Sequence, residues 1–243
     1  MENKEDIIKD LLKDLKEDEA IKVELPSRGV GYNFENSDDP FAYVRPMTFE
    51  DEKVLSKIKK SNFDIVNTLL ERCVSNLDIK ELYVFDKLFL ILKLREISYG
   101  DSYESTVVCP SCSVEGKLKV KIDDLKVNNV PDDFTSNVVM NLPKLGKEVE
   151  VSRVKIKDER YTQDPDILEN SLWRFIKRID TVKDPSIISA VVKKLPLVDI
   201  KTILKALGSQ EYGVDPKVIY ECGNCQVESI LNLPVDSNFF NVN

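Results

Sequence analysis

Two cysteine pairs, Cys109-Pro-Ser-Cys112 and Cys222-Gly-Asn-Cys225, constrain the folding of this chain more than any other feature. In each pair two residues separate the sulfurs, which lets both thiolates turn around one ion while backbone amides face them. Each pair also sits between alternating apolar residues, in "TVVCPSCSVEGKLKV" and in "VIYECGNCQVESILNL". The chain contains no histidine, so the two knuckles offer four thiolates and no imidazole. This is the donor set of an all-cysteine, tetrahedral zinc site of the ribbon kind, with Cys109, Cys112, Cys222 and Cys225 as ligands and one structural zinc per chain.

Such a site must bring together segments about 110 residues apart. Closing that loop costs roughly 4 kcal/mol, whereas structural zinc contributes an apparent 10 to 16 kcal/mol, roughly, in small peptides. Binding therefore exceeds closure. Three rival uses of the cysteines are weaker. A thioredoxin-like dithiol needs one pair at a helix start, and here both pairs run on into alternating residues. An iron-sulfur cluster accepts four cysteines, but twin knuckles with strand flanks favour zinc. Structural disulfides are disfavoured in a reducing compartment. The fifth cysteine, Cys73, lies in an apolar helical stripe and reads as a small buried hydrophobe.

The missing histidine also excludes a Ser-His-Asp triad and a Cys-His pair, and no carboxylate or lysine set stands apart from ordinary surface charge. A non-enzymatic chain with no small-molecule substrate is the expectation. A net charge of −8 argues against free nucleic acid as the main partner, because counterion release requires clustered Lys and Arg. A zinc-ribbon nucleic-acid-binding or transcription-associated module is the alternative reading. The opening "MENKEDIIKDLLKDLKEDEA" mixes charges without an apolar run, and the longest strongly apolar run, Leu88 to Leu92, is far short of a membrane span. A soluble protein of a reducing cytoplasm follows.

The fold expected is α+β: a mainly helical body with short antiparallel strands and a split four-cysteine ribbon joining the two ends of the chain. Residues 1–20 form an amphipathic helix, with Ile7, Ile8, Leu11, Leu12 and Leu15 at helical spacing. Residues 21–47 hold two strands, broken at Pro26 and Pro46, and "LPSRG" between them is a bend or a partner-contacting turn. Residues 48–100 hold the core helices, two of them opened by the capping arrangements Thr48/Asp51 and Ser61/Asp64. The segment from Glu81 to Tyr99 is the central helix, ended by Gly100, with Tyr83, Phe85 and Phe89 as packing residues.

Residues 101–125 and 214–243 form the split ribbon, and 126–213 an inserted strand and helical region. In the insert, "KEVEVSRVKI" alternates as a strand and "NNVPDDFTSN" is a loop. Asp164-Pro165 and Asp184-Pro185 start helices that carry Trp173, Phe175 and Ile176, then Ile187, Ile188, Val191 and Val192. A last helix spans about Val198 to Leu207, ended by Gly208. There is no tandem repeat.

Taken in order, "ELPSRGVGY", "VRPMTFEDEKVLS", "DIVNTLLERCV", "DKLFLILKLREISYG", "VVCPSC" and "YECGNCQVESILNLPVDSNFF" resemble the baseplate hub assembly proteins of T-even-type contractile-tail bacteriophages. The resemblance runs from about Val23 to Phe240, loosely through 126 to 165. Ser113 and Gln226 depart from it, standing where a glycine commonly follows the second knuckle cysteine. The resemblance implies a role in building the central hub of the tail baseplate. It also implies other hub or tail proteins as partners, and a place in the host cytoplasm during assembly or in the baseplate of the virion.

Overall fold

A computed structural model describes residues 20–57, 62–162, 165–208, 211–235 and 237–240. The expected N-terminal helix, the Ser61 cap and Asp164 lie outside the described residues. Strands β1 (Ile21–Val23), β2 (Ala42–Val44) and β3 (Val74–Ser75) form an antiparallel sheet in that order. Between them stand α1 (Phe49–Lys57) and α2 (Asn62–Cys73), and α3 (Val84–Tyr99) follows. Asp51 fixes the start of α1: its carboxylate takes the Thr48 amide and hydroxyl at 2.9 Å each and is flanked by Arg45 and Arg72. Burial opposes that charge, but Arg45, the Thr48 amide and Arg72 outweigh it and hold the carboxyl well below the usual range.

The central helix α3 is buried along Leu90, Ile91, Leu92 and Leu94, as its all-round apolar composition requires, and Gly100 ends it at φ 90°. Cys73 is buried against this body, and burial pushes its thiol up to about 11, in keeping with an inert packing role. The "LPSRG" segment is a turn bolted to α3. Asp86 accepts the Ser27 amide at 3.0 Å and the Tyr32 hydroxyl at 2.5 Å, while the Tyr32 oxygen accepts the Tyr83 amide at 2.8 Å.

Two separate hairpins follow: β4 (Ser102–Val108) with β5 (Glu115–Lys121), and β11 (Lys217–Glu221) with β12 (Glu228–Asn232). Leu118 and Val120 of the first, and Val218 and Tyr220 of the second, point into one core with α2, α3 and β1 to β3. The chain between the hairpins leaves and returns through a neck, where β6 (Val127–Asn128) pairs with β10 (Gly213–Val214). Aromatic rings pack the neck: Phe134 and Tyr212 meet at 5.4 Å between centroids, and both lie edge-on to Phe85 of α3. Tyr83 is fully buried beside them, so these aromatics are packing residues.

Beyond the neck a second core forms on the sheet β7 (Asn137–Asn141), β8 (Glu148–Ser152) and β9 (Ile176–Ile179), around Val149, Val151, Phe175, Ile176 and Ile188. Helix α4 (Ile156–Glu159) packs on the first body, with Ile156 in that core and Glu159 paired with Lys87 at 3.0 Å, while the helices of the second core are α5 (Pro165–Ser171), α6 (Pro185–Val192) and α7 (Leu197–Leu207). Asp184 caps α6 by accepting the Ser186 and Ile187 amides.

The expectation of a mainly helical body is wrong. The described residues contain twelve strands in five small sheets beside seven short α-helices. Alternation marks the longer strands, but β3, β6 and β10 have two residues each and β1 and β2 three, too few for a period of two to stand out. The helix expected through Trp173, Phe175 and Ile176 is likewise corrected. Leu172–Phe175 is a 3-10 turn and Ile176–Ile179 is strand β9, antiparallel to β8. Ile176 and Ile179 are three residues apart and would face opposite ways in a regular strand; a bulge at Lys177, opposite Glu150 and Val151, turns both inward, and this tertiary burial decides the conformation.

Candidate metal centre

Each cysteine pair occupies the turn of one hairpin, directly after β4 and directly after β11. Neither opens a helix. The two turns are built alike. The first cysteine donates its amide to the carbonyl of the sixth residue, Cys109 to Val114 at 2.9 Å and Cys222 to Val227 at 3.2 Å. The fifth residue donates back to the first, Ser113 to Cys109 at 2.9 Å and Gln226 to Cys222 at 2.8 Å. Closing this turn takes the fifth residue into the left-handed region, with φ 59° at Ser113 and 57° at Gln226. Glycine enters that region without a steric cost, which is why it is expected at these two places.

The turns face each other. All four sulfurs lie within 4.8 Å of one another, with Cys109 to Cys225 and Cys112 to Cys222 both at 3.7 Å. A disulfide requires about 2.05 Å, so the five cysteines are free thiols. A tetrahedral ion with Zn–S bonds of about 2.3 Å holds its sulfurs about 3.8 Å apart. The crosswise spacing therefore fits one ion at the centre. A polynuclear iron-sulfur cluster places irons and sulfides between its ligands and needs a wider cage. The residues present fit a single metal ion of zinc's size, held by Cys109, Cys112, Cys222 and Cys225, which would supply charge neutralisation and a cross-link with no open coordination position.

The electrostatics prepare the sulfurs unequally. Amides of Cys225 and Asn224 hold the Cys222 thiol down at about 6, and the Val114 amide and the Asn224 side chain lower Cys112. At Cys225 the Val227 amide works in the same direction, but burial and the crowding of Cys112, Cys222 and Cys109 outweigh it and push the thiol up to about 11. Four thiolates this close repel one another, and a dication would offset half of their charge.

Two contributors have little signature in the sequence. The Asn224 side chain crosses from the second knuckle to the Cys112 sulfur at 3.7 Å. Tyr220 of β11 is buried with its hydroxyl over Gly116 of β5, so close that a Cβ there would lie 2.0 Å from the oxygen. The glycine after the first knuckle was the available signal, since a strand glycine marks close approach of another group. Among the described residues no helix is long and apolar enough to cross a membrane.

Residues 21–241 match the family described as T4 bacteriophage base plate protein. No curated protein and no solved structure matches the chain.

Proposed function

This chain belongs to the T4 bacteriophage base plate protein family, and from that premise we propose that it is a non-enzymatic protein of the tail baseplate's central hub, acting in the hub's structure or its assembly. Its partners are other hub and tail proteins, and it works in the host cytoplasm while the baseplate is built or remains in the virion. The observation that carries this reading is the extent of the family match, which spans both hairpins, the neck and the second core. The metal site supports it in kind. A closed four-thiolate cage has no position for a substrate and serves as a clasp, with Cys109, Cys112, Cys222 and Cys225 holding one structural zinc.

Disrupting the gene in its phage tests the proposal. Electron microscopy of infected cells should find heads and replicated DNA but tails arrested before a complete baseplate. Normal tails, or an arrest at DNA synthesis, would overturn it, and the second outcome would favour a nucleic-acid role.

A further inference from the structure

The turn between β7 and β8, Leu142-Pro-Lys-Leu-Gly-Lys147, follows the path of the two cysteine knuckles although it contains no cysteine. Its first residue donates its amide to the carbonyl of the sixth, Leu142 to Lys147 at 2.9 Å, and its fifth donates back to the first, Gly146 to Leu142 at 2.9 Å. The fifth residue is again left-handed, with φ 67° at Gly146, and here it is glycine. Both hydrogen bonds and the positive φ are those of Cys109–Val114 and Cys222–Val227, position for position. Leu142 and Leu145 stand where the two cysteines stand.

A knuckle turn aims the amides of its third and fourth residues at one point. In the first knuckle the third-residue amide, that of Ser111, donates to the first cysteine's sulfur at 3.4 Å, and in the second the amides of Cys225 and Asn224 favour the Cys222 thiolate. The equivalent amides in the leucine turn belong to Lys144 and Leu145. They donate to the two carboxylate oxygens of Asp199, at 2.8 and 2.9 Å. Asp199 is fully buried and comes from the first turn of α7, more than fifty residues along the chain. Convergent backbone amides form an anion-binding concavity whatever the anion is.

We infer that Leu142–Lys147 is a third knuckle, a metal-independent anion site in which the Asp199 carboxylate takes the place of the thiolate and pins α7 to the β7–β8–β9 sheet. The consequence for packing is direct. Asp199 sets the position of α7 so that Ile203, one turn on, enters the second core beside Val149 and Val151. The hairpin keeps its turn without a metal because its anion is supplied by another element. It follows that a small free carboxylate can occupy the site when the side chain is removed.

The test is Asp199→Ala in the full chain. Amide exchange at Lys144 and Leu145 should accelerate on the order of 100-fold, as expected for losing charge-assisted hydrogen bonds. The thermal midpoint should fall on the order of 10 °C, with bound metal per chain unchanged. Formate, but not chloride at equal ionic strength, should restore protection of the two amides. Should that variant fail to fold, Asp199→Asn keeps one acceptor oxygen and should leave one of the two amides protected. Unprotected amides in the intact protein, unchanged exchange in Asp199→Ala, or formate that restores nothing would each overturn the inference. So would loss of protection at Lys144 and Leu145 in the intact protein on metal chelation, since that would make the turn depend on the metal.

Discussion

Hairpins β4–β5 and β11–β12 face each other through four sulfurs, whereas hairpin β7–β8 faces helix α7 through one carboxylate. The backbone of the turn is the same in all three. What changes is the anion and, with it, the size of the commitment. Structural zinc is worth an apparent free energy of roughly 10 to 16 kcal/mol, while two hydrogen bonds to a carboxylate contribute about 1.5 to 3 kcal/mol each. The large term would act where two hairpins 110 residues apart meet. The smaller one suffices inside the second core, where apolar packing by Phe175, Ile176, Ile188 and Ile203 already holds the elements together.

Removing a metal ligand should break this contrast most visibly. Cys222→Ser is expected to abolish stoichiometric metal and to destabilise the first core by more than about 5 kcal/mol, read by elemental analysis and by urea denaturation. Protection of the Lys144 and Leu145 amides should survive longer into the denaturant series than protection in β11. Full metal occupancy in this variant would place the metal elsewhere, and simultaneous loss of all protection would show that the two regions unfold as one.

A smaller effect is expected where the hairpins touch without metal. Gly116→Ala puts a Cβ 2.0 Å from the Tyr220 hydroxyl and 3.2 Å from the ring carbon that bears it. Overpacking of this kind costs about 1 to 3 kcal/mol. Tyr220→Phe removes the nearer atom, so the pair of substitutions should be less destabilised than the sum of the two singles in a double-mutant cycle. Strict additivity would show that Gly116 and Tyr220 are not in contact.

The smallest effects should come from the left-handed residue of each turn. A Cβ at Gly146 meets nothing within 4 Å, so Gly146→Ala isolates the backbone cost, about 1 kcal/mol. The reverse change, Ser113→Gly, relieves that strain but frees the unfolded chain, and should gain only about 0.5 kcal/mol. Equal stability of Gly146→Ala and the parent would mean that the turn relaxes out of the shared path.

These turns also mark how far the sequence could be read. The spacing of Cys109, Cys112, Cys222 and Cys225 announces convergence, because thiolates in two short pairs have few other uses in a histidine-free chain. The central helix was legible except for its start: the expectation begins it at Glu81, but Glu81 ends a 3-10 turn, Leu82 and Tyr83 are extended, and the helix runs from Val84 to Tyr99. The third knuckle was not. Leucines give its turn no chemical label, and its anion lies on another element, visible only once β7–β8 and α7 are in contact. Strand β9 was hidden for a related reason. Ile176-Lys-Arg-Ile179 is four residues long and follows "LENSLWRF", whose local pattern is helical, so only pairing with β8 selects the extended form. Ser113 and Gln226 carried a real signal, as departures from glycine at positions where the turn demands a positive φ.

The neck has a mechanical consequence. Strands β6 and β10 bring the two ends of the second unit side by side, and Gly213 at φ 84° packs against the Phe85 carbonyl of α3. Tension applied between the β1 sheet and the C-terminal hairpin would thus travel through α3, the first hairpin and the thiolate cage. The residues beyond the neck lie beside this line and are tied to it by more than β6 and β10: Val84 donates its amide to the Val154 carbonyl, Ile156 donates to that of Leu82, and Lys87 pairs with Glu159 at 3.0 Å. Load reaching the second core would have to break these ties at the base of α3 as well as the short β6–β10 pair, so a pull along the line is shared with that seam before it stretches the core and its carboxylate pin.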